Sequence, residues 1–291
     1  MTGSAGGPPL DLDIRWVHGA RDGDPTGPPV QVHAVDDRTY ILRQDKSVHW
    51  EGPFLHLLVG EDRALLLDTG ATEDPAKFPL RAALDAVLDG LPLVVAHTHG
   101  HGDHVAADGQ FADRPDTVVV GQELAAVRSF FGFTGWPDEV VSFDLGGRVL
   151  ELTGIPGHHE TSIAVFDPRT GFLLTGDTVY PGRLYVFDHA AFVASLDRLV
   201  AFAAARPVTH VLGCHIELRA DGGEYPTGTR YQPDEPPLHM DPGVLRRVHE
   251  VAVRSRGRSG LHPGAGFVVV NMNGVGPFKL VAHSLRLRLR R

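Results

Sequence analysis

Four side chains able to ligate a metal fall within six residues of the segment Thr98-His99-Gly100-His101-Gly102-Asp103-His104. Histidines two apart on an extended or tightly turned backbone converge on one ion, and the interposed glycines permit sharp turns there. Asp103 and His104 would then point to a neighbouring ion. The competing reading, polar loop residues with histidine enriched by chance, fits poorly with so dense a spacing. The chain has one cysteine, Cys214, so a metal here must be held by histidines and carboxylates, and no intrachain disulfide can form.

The elements that would position this segment are short. Strands are predicted over 30–35, 39–42, 54–59 and 64–68, each bounded by turn residues such as Asp36-Asp37, in the manner of an antiparallel meander. An amphipathic helix over 75–88, with Leu80, Leu84, Val87 and Leu88 on one face, leads to a buried-type strand at 93–96. A second strand–helix unit covers 117–120 and 122–131, followed by strands near 140–143, 148–152, 163–166 and 172–175. A helix over 190–205 and a strand over 208–212 close the core. Strands, then helices interleaved twice, predict an α/β fold in which two sheets pack face to face with helices outside.

Composition bounds the rest. A chain of 291 residues, 42% hydrophobic, can bury an active site in one large domain with an extension. No run of eighteen apolar residues and no basic-flanked leader is found, so a cytoplasmic protein without a membrane partner is expected. A net charge of −9 argues against a phosphate backbone as partner, although the tail from Leu285 to Arg291 is basic. That tail reads as an exposed strand edge kept apart by alternating arginines. Residues 1–29, rich in Gly and Pro, are expected to be flexible, with the stretch around Trp16 a candidate to pack; the core domain is expected over 30–217 and an extension over 218–291.

The His-x-His-x-Asp-His pattern at 99–104 resembles the signature of the metallo-β-lactamase superfamily, and residues resembling its other four motifs appear in order, one before it and three after. The resemblance covers about two-thirds of the chain and implies the αββα metallo-β-lactamase sandwich with a C-terminal extension. It implies two zinc ions, with iron or manganese also fitting such ligands. His99, His101 and His158 would hold the first, and Asp103, His104 and His215 the second, with Asp177 bridging. Asp68 would orient the metal loop without ligating, and His159 would face elsewhere.

The implied activity is hydrolysis of an ester, thioester or lactone in a small molecule by a metal-bridging hydroxide, which Asp103 would help to orient. Tyr180 is similar in placement to a tyrosine that contacts the substrate carbonyl in lactone-hydrolysing members. The ligand set is shared with hydroxyacylglutathione hydrolases. The bridging aspartate speaks against a true β-lactamase, and the acidic charge against a phosphodiesterase. The rival within the same likeness is a persulfide dioxygenase, an oxidoreductase with one iron.

Elsewhere the reading is less definite. Tyr225, Arg230 and Tyr231, in a Pro/Gly-rich loop of the extension, are candidate substrate contacts; a packing role or a homodimer contact is the alternative. His49 and His56 lie in or after a loop expected to overhang the metals. Phe130, Phe131, Phe133 and Trp136 read as core rather than as a pocket wall. A helix over 242–254 and β-like runs over 267–271 and 278–283 complete the chain.

Overall fold

The first sheet consists of β1 (Val30–Asp36), β2 (Thr39–Gln44), β3 (Phe54–Val59), β4 (Ala64–Leu67), β5 (Leu93–Ala96) and β6 (Thr117–Val119), hydrogen-bonded in that order. Its first four strands form an antiparallel meander, after which β4, β5 and β6 run parallel. Parallel neighbours need crossovers. These are α1 (Leu80–Leu88) between β4 and β5, and α2 (Gly102–Val105) with a 3-10 turn at Asp108–Phe111 between β5 and β6.

The chain then passes through α3 (Leu124–Phe131) into the second sheet, made of β7 (Val140–Asp144), β8 (Val149–Gly154), β9 (Ile163–Asp167) and β10 (Phe172–Leu174). After β11 (Arg183–Val186) and α4 (His189–Ala204), β12 (His210–Leu212) joins β10 in parallel at the edge of that sheet. The extension supplies α5 (Val244–Arg254), β13 (Gly260–Gly264), β14 (Phe267–Asn271) and α6 (Gly276–Leu289), and β11, β14 and β13 form a third sheet. The structure is a computed structural model that describes residues 10–21, 25 and 27–289.

Strand alternation sorts the apolar side chains into layers. Leu65 and Leu67 of β4 meet Ile163 and Val165 of β9 between the sheets. Ala64 and Leu66 face outward onto Leu80, Leu84 and Leu88 of α1. Ala164 and Phe166 face outward onto Phe192, Leu196 and Leu199 of α4. The order helix, sheet, sheet, helix follows directly, as the sandwich expectation had it. Phe131 and Phe133 are buried between the sheets, with Phe130 and Trp136 packed against them, so the aromatic cluster is core.

Most of the stretches expected to be flexible, 1–9, 22–24 and 26, lie outside the described residues. Trp16 does pack: its ring meets Phe54 edge-on at 5.0 Å, and Asp11 N donates to Val35 O at 2.9 Å.

The run at 278–283 and the basic tail as far as Leu289 are helical, in α6, and are not strands; Arg290 and Arg291 lie outside the described residues. The Leu-Arg alternation has period two, but no strand edge faces it. Leu280, Ser284 and Leu287 instead recur at helical spacing and are partly or fully covered, and Pro277 sits in the first turn, where its missing N–H costs nothing. β13 was hidden by Gly260, Pro263 and Gly264, which read as a turn; Pro263 is tolerated because β13 is an edge strand.

One buried histidine makes the fold pH-sensitive. His56, in β3, is 2% exposed, its Nε2 has no partner, and burial pushes its pKa down to about 4. Below its ordinary value of 6.5 the unfolded chain binds a proton that the folded chain refuses until about pH 4. Stability is therefore lost as pH falls through that window, by roughly 3 kcal/mol from this group. Denaturation of chelated protein between pH 7 and pH 4 is expected to show a shallower decline in His56→Met than in the parent; parallel curves would contradict this.

Candidate metal centre

Every residue of the expected ligand set leaves the sandwich at one edge. β4 and β5 are parallel with Leu67 paired to Ala96, so the segments after them emerge side by side and carry Asp68 and the 97–104 segment. β10 and β12 are parallel with Leu174 paired to Leu212, which sets Asp177 beside His215. That approach is close: Cys214 N donates to Gly176 O at 3.2 Å, and a side chain at Gly213 would collide with the Gly176 and Val179 carbonyls. His158 follows β8, and Ile163 N donates to Thr98 O, tying the two sheets' edges together. Gly100 and Gly102 do not adopt the left-handed backbone; Asp68 does, at φ 71°.

Two groups of ligand atoms result. His99 Nε2 and His158 Nε2 each lie 3.0 Å from His101 Nδ1. Next to them, His104 Nε2 and His215 Nε2 each stand 3.3 Å from Asp103 Oδ2 and 3.4 Å from one another. Asp177 links the groups: its Oδ2 is 3.6 Å from His104 Nε2 and 3.7 Å from His158 Nε2, and its Oδ1 is 3.4 Å from His215 Nε2. An ion about 2.0–2.1 Å from each nitrogen spaces tetrahedral ligands about 3.3–3.4 Å apart, so these separations fit metal polyhedra.

The surroundings fix which atoms present lone pairs. His158 Nδ1 donates to Tyr185 O at 2.8 Å, which leaves Nε2 without a proton and aimed inward. His104 Nδ1 donates to Asp68 Oδ2 at 2.9 Å, which aims its Nε2 at the second group. Asp68 also accepts from Thr98 N at 2.7 Å and Thr98 Oγ1 at 2.9 Å, so it braces the loop and a ligand at once. Burial lowers the pKa of His99, His101 and His158, that of His101 to about 4, which keeps them neutral and able to bind metal.

At the second group burial is outweighed by charge. His215 and His104 hold Asp177 well below the carboxylate range against its burial, while Asp103, Asp68 and Asp177 raise His104 well above its ordinary value. Three carboxylates thus favour positive charge at this point. Asp177 Oδ1 is also buried without a hydrogen-bond partner, as a metal-bridging oxygen would be. The residues present fit two metal ions.

A cavity of about 270 Å³ opens onto both groups, lined by Asp103, Asp177 and His215 at its base and by Trp50, Phe187 and Leu280 at its walls. His159 lies outside both groups of ligand atoms, its Nδ1 2.8 Å from Thr161 Oγ1. His49 stands behind the cavity lining, paired at 3.3 Å with Glu51, which does line it, and His56 is buried in its strand.

Tyr180, expected as a substrate contact, lines the cavity. Its hydroxyl donates to the Arg183 carbonyl and lies 3.3 Å from Glu217, while its ring packs edge-on against His215. Of the extension's candidates, Tyr225 is buried and accepts from Asp234 N, Arg230 donates to Ser47 O, and Tyr231 lies by His18. Their loop nevertheless reaches the cavity through Pro226, Thr227, Gly228 and Gln232.

Sequence reasoning did not single out Lys46, Trp50, Glu51, Arg183 or Glu217, which line the cavity. Burial, then the charge of Asp103, raises Glu51 to about 7, and burial lowers Lys46 to about 8. Nothing local marks Arg183 and Glu217, because they are 34 residues apart in the chain.

This fold and donor set fit a protein that holds metal at one edge of a two-sheet sandwich. Residues 53–215 match the family model of the metallo-beta-lactamase superfamily, and the chain belongs to that superfamily. It is 33% identical over 142 residues to a hydroxyacylglutathione hydrolase of Thermosynechococcus vestitus, covering 45% of this chain and 53% of that protein. A second, from Chromohalobacter salexigens, is 28% identical over 171 residues, covering 57% and 58%. The chain therefore spans about half the length of these curated relatives. A metallo-beta-lactamase from Pontibacter korlensis superposes with a TM-score of 0.55 at 19% identity over 77% of this chain and 99% of that one. The FIM-1 enzyme of Pseudomonas aeruginosa, in its mono-zinc form, gives 0.55 at 14% identity over 79% and 98%. These two likenesses show the shared fold.

Asp68→Asn keeps a residue tolerant of the left-handed backbone but removes the charge on which His104 Nδ1 rests. Metal affinity is expected to fall by roughly 10–100-fold, as for other lost supporting partners of metal ligands. Titration with a competing chelator reads the change; unaltered affinity would show that Asp68 is only a backbone anchor.

Proposed function

We propose that this chain is a metal-dependent hydrolase working with two zinc ions, and that it cleaves an ester, thioester or lactone in a small molecule that carries no charge on either its acyl or its leaving part. The observation that carries the reading is that Asp177, which lines the cavity, brings its oxygens within 3.4–3.7 Å of His104 and His215 on one side and His158 on the other. When bound, a pair of zinc ions acidifies water to a pKa of about 7 and polarises a carbonyl.

The chain's own residues supply the rest. Asp103, whose Oδ2 lies between His104 and His215 and which lines the cavity, holds the attacking water and takes its proton. As the water oxygen bonds to the acyl carbon, the C–O or C–S bond breaks, and Asp103 returns the proton to the leaving oxygen or sulfur. Tyr180 acts by bracing the His215 ring.

The cavity walls support an uncharged acyl group. Trp50, Phe187 and Leu280 give apolar surface. Its cations are committed: Lys46 donates to Trp50 O and Glu51 O, and Arg183 to Glu217, Glu224, Tyr185 and Tyr225 O. Comparing an aliphatic lactone, an aliphatic thioester, a glutathione thioester and nitrocefin tests this. The account expects turnover of one or both aliphatic substrates ahead of the other two; preference for nitrocefin or for the glutathione thioester would contradict it.

A further inference from the structure

The last 41 residues carry eight Lys or Arg and no Asp or Glu, in a chain whose net charge is −9. Helix α6 gives this charge a shape. With a turn of about 100° per residue, Phe278, Val281, Leu285 and Leu289 share one face and are 77%, 59%, 55% and 87% exposed. Roughly 80–100° to one side stand Arg286 and Lys279, whose Nζ donates at the surface to Ser259 O at 2.9 Å, and a similar angle to the other side stands Arg288. The opposite face, with Leu280, His283, Ser284 and Leu287, rests on the body of the protein.

From these observations we propose that α6 is an interfacial helix that docks the protein onto an anionic lipid surface. An apolar stripe flanked on both sides by cations is the arrangement that lets a helix lie in a membrane's headgroup region. The cationic surface continues beyond the helix: Arg258 shares with Lys279 and Arg286 a groove between the turn after α5 and α6. Charge complementarity favours this occupant over a second copy. Two copies joined symmetrically through this face would set like charge against like, since such an interface pairs a patch with itself.

The helix is also held against the catalytic mouth. Arg288 donates to Thr227 O at 2.7 Å, Thr227 N donates to Ser284 Oγ at 3.0 Å, and His283 pairs with Glu224 at 2.8 Å. Leu280, on the inner face, lines the cavity with Thr227 and Gly228. A lipid surface under α6 therefore lies beside the cavity that receives substrate. No part of this inference depends on which bond the site cleaves.

The test is co-sedimentation of the full chain with vesicles of phosphatidylcholine alone or mixed with phosphatidylglycerol. Binding is expected only to the mixed vesicles, and to weaken as salt is raised. Lys279→Gln and Arg286→Gln should each reduce partition about five-fold. The double variant Phe278→Glu/Leu285→Glu should abolish binding, with helical circular dichroism and metal content unchanged. Equal binding to both vesicle types, or none, overturns the proposal. So does a dimer in sedimentation velocity that the double variant dissociates, because a second copy then covers the stripe.

Discussion

Asp177→Ala is expected to abolish hydrolysis, with a loss well beyond the roughly 10–100-fold that follows removal of a supporting residue. Asp177 reaches both ligand groups: its Oδ2 is 3.6 Å from His104 and 3.7 Å from His158, and its Oδ1 is 3.4 Å from His215. Removing it takes a donor from each group and leaves His104 and His215 with Asp103 alone between them. Initial rates on the best aliphatic substrate at saturating zinc measure the effect. Activity within tenfold of the parent would mean that one ion suffices and that the shared carboxylate is incidental.

The largest effect on stability is expected from Glu217→Ala. Arg183 is 2% exposed, and Glu217 accepts from its Nη2 at 2.8 Å, from its backbone N at 2.8 Å and from the Tyr185 hydroxyl at 3.1 Å. Deleting the carboxylate leaves a buried guanidinium with only Glu224, 3.3 Å away, as a charged partner. Breaking a buried pair in this way costs roughly 3–5 kcal/mol. Replacing both members, as Arg183→Met/Glu217→Met, should return much of that loss, because neither charge is then stranded. Urea denaturation of the three proteins decides the matter. A double variant no better than Glu217→Ala would show that the packing of the two side chains, and not their charges, is what the fold needs.

How much of this was legible depended on the range over which each feature is determined. The runs that became β3, β4 and β9 are continuous apolar segments bounded by turns, and their boundaries were read to within a residue or two. The ligand positions were legible because four of them crowd into one loop, and the resemblance supplied the rest in order. β11 was missed because Arg183 and Tyr185 read as polar, and their burial depends on Glu217 thirty residues later. α6 was misread because the Leu-Arg alternation at its end has the period of a strand, and only the absence of a pairing edge decides for a helix. Tyr180 shows the same limit at the site: it lines the cavity, but the hold of the Arg183 carbonyl on its hydroxyl could not be read from the motif region.

The central claim, that this donor set holds two ions for hydrolysis, is tested most directly by plasma mass spectrometry on protein purified without a tag. The account predicts about two zinc ions per chain, falling by at least one in Asp177→Ala. A single iron per chain, accompanied by oxygen consumption and no hydrolysis of any ester, thioester or lactone, would contradict it.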